Sequence, residues 1–514
     1  MKQLGMIDSA FINLEHPNTP QHIGGFGIYD PSTAPDGKVR FKQVIADYEK
    51  RLNKIPVFRT RLVEVPMGLG KPYWVTDENF DVEFHLRHIA LPKPGDWRQL
   101  CIQVARLHAR PLDMSRPLWE CYVIEGLDSI EGLPDGAFAI YTKIHHSLID
   151  GNTGQSFLQV LHDTTATPSV IDPATSVAKN EYDSEITKPL QFASNVVRNN
   201  IRGNYELVKS GINLTKKMWS TLSDIRNKKI TGLPLTGPQT RFDDPVGPHR
   251  VFQASLFQLD DFKAIRKLTA TKVNDVAVTI IAGAVRRYLE KHHELPEESI
   301  VASLPVNTRQ WRENDGSNNQ IALIMTPIHT QIADPIERLL SVSRSTTEAK
   351  KQIDTPLSEP AKVAGIFNPW ISKTAVKWYV DKKITRKNSL GGGIGIITNV
   401  QGPSSPLYSA GAELVHNYAM GFLNAGSGIF HAVFSMNGTV TISALADRDI
   451  MPDPEFYREC LEASFAELYD AVLKVYNENH APPAVTADIA EAPAKPKAKK
   501  PAVKKAANKL AQSV

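Results

Sequence analysis

The chain has 514 residues, beyond the size at which a single hydrophobic core stops growing, so two domains are expected. Hydrophobic residues make up 42% and charged residues 22%, which excludes collagen-like and wholly disordered classes. The net charge is +4, yet beyond residue 480 seven lysines (Lys495, Lys497, Lys499, Lys500, Lys504, Lys505, Lys509) face only Asp488 and Glu491; the body before them is near neutral, and a specific nucleic-acid groove is not expected.

Cys101, Cys121 and Cys460 are far apart and include no Cys-x-x-Cys pair, which fits a reducing compartment and offers no metal or redox motif. The first residues, with Asp8, Asn13, Glu15 and His16, form no sustained apolar run, and no stretch approaches the ~18 apolar residues of a membrane span. A cytoplasmic protein without secretory signal or anchor is expected.

Residues 1–165 alternate strand-like and helix-like patterns, with helices predicted over 41–52 and 96–109, and form an α/β (mixed α+β) N-terminal domain. Residues 137–144 read as a strand ending at His145, and 152–162 as a helix capped by Asn152 or Thr153. Residues 166–248 turn to Thr, Ser, Asn and Lys, punctuated by proline, with one long helical stretch over 191–227; they read as a partly helical crossover linker. The C-terminal domain, 249–479, opens with a strand over 251–259 and helices over 260–267 and 274–291. Gly391-Gly392-Gly393, then Ile394-Gly395, fits neither dinucleotide nor P-loop spacing and predicts a loop leading into a strand. Alternating runs over 430–436 and 439–445 flank Asn437-Gly438, which supplies the two positive φ values of a type I′ hairpin turn. A last helix is predicted over 453–476, and the Ala/Pro/Lys composition of 480–514 predicts a disordered tail.

The segment His145-His146-Ser147-Leu148-Ile149-Asp150-Gly151 lies at a strand-to-loop junction, where a scaffold can aim side chains into a cleft. Histidine suits general-base work because its ordinary pKa, about 6.5, leaves it proton-accepting near neutrality. Asp150 is placed to turn back across the loop, and Gly151 permits a backbone angle other residues avoid. On these residues alone, a structural pair or a metal-ligating set stays open, although the spacing is not that of a helical zinc site.

The segment resembles the HHxxxDG motif of the CoA-dependent acyltransferase superfamily. Further segments resemble its bacterial wax ester synthase/diacylglycerol acyltransferases: Asp8-Ser9-Ala10-Phe11 with Glu15, Phe84-His85-Leu86-Arg87-His88, Pro117-Leu118-Trp119, Asn274-Asp275-Val276, and Thr398-Asn399-Val400-Gln401-Gly402-Pro403. Gln401 stands where the family often has proline. The resemblance implies two chloramphenicol-acetyltransferase-like domains, each a mixed β-sheet with helices, joined by a crossover and enclosing a tunnel. It implies His146 as the base with His145 beside it, Asp150 as loop organiser, and Asn274 lining the catalytic centre. Trp119, Glu15 and Gly151 fall on the substrate side. Acyl-CoA is then a substrate, a long-chain alcohol or diacylglycerol the acceptor, and neither a metal nor a cofactor is implied. Transfer would be direct, without an acyl-enzyme, with peripheral contact to a membrane or lipid inclusion. Two alternatives accompany this reading: a condensation-type enzyme with a carrier-bound donor, and a non-catalytic lipid-surface protein. A serine hydrolase lacks its Gly-x-Ser-x-Gly elbow, since Ser427 sits only in Gly426-Ser427-Gly428.

Overall fold

A computed structural model describes residues 1–65, 70–148, 158–168, 182, 237–307, 321–350, 369–382 and 393–480. Asp150, Gly151, the helix predicted over 191–227, Gly391, Gly392 and the tail predicted over 480–514 lie, apart from His480, outside the described residues.

In chain order the first half holds β1 (Lys2–Gln3), α1 (Met6–Leu14), β2 (His22–Asp30), α2 (Phe41–Leu52), β3 (Thr60–Val63), β4 (Tyr73–Thr76), α3 (Val82–His85), β5 (Leu86–Ala90), α4 (Trp97–Ala109), β6 (Trp119–Glu125) and β7 (Phe138–His145). The second half holds β8 (Arg250–Gln258), α5 (Leu259–Thr269), α6 (Val273–Lys291), β9 (Val301–Asn307), β10 (Ile321–Pro327), α7 (Pro335–Ala349) and α8 (Pro369–Asp381). It continues with β11 (Ile396–Gln401), β12 (Tyr408–Ser409), β13 (Ala412–Met420), β14 (Ile429–Met436), β15 (Thr439–Asp447) and α9 (Pro454–His480). The predicted helices over 41–52 and 96–109 form as α2 and α4, and Asp96 caps α4 by accepting from the Gln99 N–H at 2.7 Å. The hairpin forms as β14 and β15, with Asn437 at φ 42° and Gly438 at φ 82°. Ile394 and Gly395 lead into β11, as the glycine run predicts.

Two six-stranded mixed sheets carry the fold, each flanked by helices, in agreement with the expected class. The second has the order β10-β9-β11-β14-β15-β8, with β11 parallel to both neighbours. The first has the order β12-β13-β2-β7-β6-β5, antiparallel except for β5 beside β6. Its strands β12 and β13 come from the far half of the chain, so residues 408–420 leave the C-terminal sheet to complete the N-terminal one. The middle of helix α6, Val276 to Val285, carries no charged residue and is buried on every side, centring one core with Val276, Ile280, Ile281 and Val285. A second core joins both sheets, placing Phe26, Leu100 and Tyr141 with Phe252, Phe430 and Leu445.

Candidate active site

Strand β7 (Phe138-Ala139-Ile140-Tyr141-Thr142-Lys143-Ile144-His145) is rich in β-branched and aromatic residues and lies between β2 and β6, so it is rigid up to its last residue. The chain then leaves the sheet in a single 3-10 turn, His146–Leu148. Two backbone bonds fix that exit: the His145 N–H donates to the Leu118 carbonyl at 2.9 Å and the His146 N–H to the Gln21 carbonyl at 2.9 Å.

His145 is fully buried. Its Nδ1 accepts from the Ser147 backbone N–H at 3.1 Å, and the Ser147 hydroxyl lies 2.7 Å away. A nitrogen that accepts carries no proton, so in the neutral ring the proton sits on Nε2, which faces the Glu15 Oε2 at 3.3 Å. The same Glu15 oxygen accepts from the Gln21 N–H at 2.6 Å. Glu15 caps the C-terminus of α1, and so one carboxylate ties α1, the loop before β2 and the end of β7 together. Glu15, predicted on the substrate side, has its carboxylate on His145.

His146 is held differently. Its ring stacks on Phe11 of α1 at 3.9 Å between centroids and meets Phe422 edge-on at 5.7 Å. The residue is only partly buried, but its Nδ1 is enclosed and has no hydrogen-bond partner among the described residues. Burial, and secondarily the neighbouring His145, pull its pKa down to about 4, against a weaker upward pull from its own backbone. At neutral pH the imidazole is therefore uncharged and keeps a lone pair free to accept a proton.

The loop that carries Phe422 is fixed from two sides. The His108 Nε2 bonds the Gly421 carbonyl at 2.7 Å, and the Gln21 side chain donates to Asn424 Oδ1 at 3.3 Å. Gly421 packs so tightly under Phe430 that a Cβ there would lie 2.1 Å from the ring. An alanine at 421 would therefore force the Phe430 ring to move.

Asn274 opens α6 and accepts from the Asn399 side chain on β11 at 3.2 Å. This joins two segments singled out in the sequence, Asn274-Asp275-Val276 and Thr398-Asn399-Val400. Asp275 is buried and structural: it accepts from the Lys272 N–H and from the hydroxyls of Ser343 and Thr346 on α7. Trp119 is 1% exposed, donates its indole N–H to the Phe58 carbonyl at 2.8 Å and stacks on His85 at 4.6 Å. It stands opposite Ile144 in the β6–β7 register, one position before His145. No hydrogen bond or ring contact joins Asn274 or Trp119 to His146 among the described residues.

Comparison with known proteins gives this arrangement a family. The catalytic-domain model of the wax ester synthase/diacylglycerol acyltransferases matches residues 4–277, and the C-terminal-domain model of the same family matches 317–469. The chain belongs to the wax ester synthase/diacylglycerol acyltransferase family. It is similar to the O-acyltransferase WSD of Acinetobacter baylyi, 30% identical over 488 residues, covering 92% of this chain and 98% of that protein. Among solved structures, the wax ester synthase/diacylglycerol acyltransferase of Marinobacter aquaeolei VT8 is similar with a TM-score of 0.63 and 26% identity, over 92% of this chain and all of that one. The first condensation domain of the calcium-dependent antibiotic synthetase matches at a TM-score of 0.51 and 11% identity over 91% of this chain and 96% of that one, a likeness of fold alone. As a member of this family the protein is an O-acyltransferase.

The histidine pair is visible in the sequence, and the aromatic clamp around His146 is not. Phe11 belongs to the Asp8-Ser9-Ala10-Phe11 segment, whose resemblance assigns it no role, and Phe422 sits in no motif. Ser147 and Gln21 act through a backbone N–H and a backbone carbonyl, which no side-chain pattern announces.

Proposed function

We propose that this acyltransferase moves a fatty acyl group from acyl-CoA to a long-chain alcohol or diacylglycerol, with His146 as general base. One observation supports the reading above all: an imidazole held between two phenylalanines where the central strand β7 ends, with His145 locked beside it by Glu15 and Ser147. The acceptor hydroxyl gives its proton to His146 as its oxygen bonds to the thioester carbonyl carbon. The C–S bond then breaks, and the imidazolium returns the proton to the leaving CoA sulfur. Because a base of such low pKa is a weak acceptor, proton transfer runs together with C–O bond formation, when the hydroxyl has become acidic. Phe11 and Phe422 suit an apolar acceptor chain and keep bulk water from hydrolysing the thioester. In this reading the family motif makes Asp150 the organiser of the His146 loop and puts Gly151 on the substrate side, and Asn274 with Asn399 serves the catalytic centre from the second half of the chain. A lipid-dissolved acceptor brings the protein to a membrane or lipid-inclusion surface.

His146→Ala tests the assignment. It should lose at least about 100-fold in kcat while still binding acyl-CoA, the usual worth of a positioned base. A burst of free CoA equal to the enzyme concentration, with no acceptor present, would instead reveal an acyl-enzyme and refute direct transfer.

A further inference from the structure

Among the described residues, the most exposed large apolar side chains are Trp370, at 64%, and Trp378, at 58%, and both belong to α8. Other exposed apolar residues, such as Leu256, Leu340 and Val475, lie on separate elements and need no special account. At about 100° per residue, two side chains eight positions apart point within roughly 80° of each other, with Thr374 between them. Lys377 and Lys382 are exposed on the same side, and Lys373, nearer the edge, reaches Glu64 at 2.5 Å. The opposite side carries Ser372, Val376 and the buried Val380, and α8 packs against α1. Asp381, the acidic residue of this helix, lies on the same side as Trp370 and is half exposed, with His16, which follows α1, at 3.3 Å.

We infer that α8 is the element by which the protein lies on an anionic lipid surface, with Trp370 and Trp378 in the interfacial layer and Lys377 and Lys382 over the headgroups. Tryptophan suits that layer because its ring is apolar while its N–H stays wet. Thirteen residues span only about 20 Å of helix, so α8 rests on a bilayer and does not cross it. A second copy is the poorer occupant, since an isologous pair would set two lysine-bearing faces against each other. Helix α1 links this surface to the chemistry: it meets α8 and carries Phe11, which stacks on His146. This inference rests on the reading that the acceptor is a lipid.

The test uses the full chain with vesicles of phosphatidylcholine, with or without phosphatidylglycerol, at low and high salt. Trp370→Ala/Trp378→Ala should weaken vesicle binding at least ~10-fold at either salt, because the lost partition is apolar. Lys377→Gln/Lys382→Gln should lose binding only on phosphatidylglycerol vesicles and chiefly at low salt. Both variants should turn over a short, water-soluble alcohol as the parent does, and lose rate with an acceptor dissolved in vesicles. If the tryptophan variant melts at the parent's temperature and binds vesicles equally well, the inference is overturned. It is also overturned if the tryptophans prove to hold a dimer in sedimentation while vesicle binding stays the same. Failure of the parent to acylate any alcohol would strike the acyl-transfer reading and leave the vesicle result standing.

Discussion

At His146, burial has a sign that kinetics can read. Its pKa of about 4 means that the free protein keeps this imidazole unprotonated across the neutral range, as the proposed base must be. A solvent-exposed histidine at its ordinary pKa would be roughly three-quarters protonated at about pH 6. We therefore expect kcat/KM to stay level from about pH 8 to about pH 6, and a fall with a midpoint near the ordinary value would refute the assignment. Removing one wall of the clamp should restore water to the ring. Phe11→Ala or Phe422→Ala should move the acid limb upward, toward the ordinary histidine value, and lower the rate. The partner shell carries its own control: in Glu15→Gln an amide oxygen still accepts from His145 and Gln21, so activity should survive better than in Glu15→Ala.

Among the elements, β13 shows best how far local sequence reaches. Strand β7 and its histidines were legible because a run of β-branched and aromatic residues ends at an unusual polar cluster. Strand β2 (His22-Ile23-Gly24-Gly25-Phe26-Gly27-Ile28-Tyr29-Asp30) reads poorly as a strand, since glycine weakens strand propensity. The structure gives the reason for two of these glycines: a Cβ at Gly25 would lie 2.6 Å from the Tyr418 carbonyl of β13, and one at Gly24 lies 2.8 Å from the Thr142 carbonyl of β7. The pairing of β2 with β13 links residues hundreds of positions apart, and no periodicity encodes it. It also bears on where the chain divides. A fragment ending at residue 248 would leave the β2 edge bare, while a fragment starting at 249 would carry β13 without its sheet. We expect each fragment alone to aggregate or lack a cooperative melt, and the two co-expressed to assemble. A cooperative melt of 1–248 by itself would show that β12 and β13 are dispensable.

Across the whole molecule, histidines are buried uncharged in both halves. Burial lowers His108 and His431 to about 3 and His146 and His162 to about 4, and it depresses His22 well below its ordinary value. Each has a partner or packing suited to the neutral ring: His162 bonds the Tyr29 hydroxyl, His431 the Tyr457 hydroxyl at 2.6 Å, and His108 the Tyr141 hydroxyl at 2.9 Å. The unfolded chain holds these rings in water at the ordinary pKa, near 6.5, so it takes up protons there that the native state refuses. Between the native and the unfolded pKa the unfolded state binds more protons, and stability therefore rises with pH through that window and falls on acidification. From about pH 7 to about pH 5.5 each ring should cost about 1 kcal/mol, and these histidines together several kcal/mol, a large share of the stability of an ordinary protein. The melting temperature should drop steeply across that interval, well above the range where carboxylates titrate. His431→Gln keeps a polar partner for Tyr457 but cannot be protonated, so in a protein that still folds it should flatten the slope by about one ring's share. A melting temperature unchanged down to about pH 5 would contradict the burial of these groups. The native pKa of His146 lies below the point where the fold gives way, and the acid loss of turnover should accordingly follow the melt measured in the same buffers.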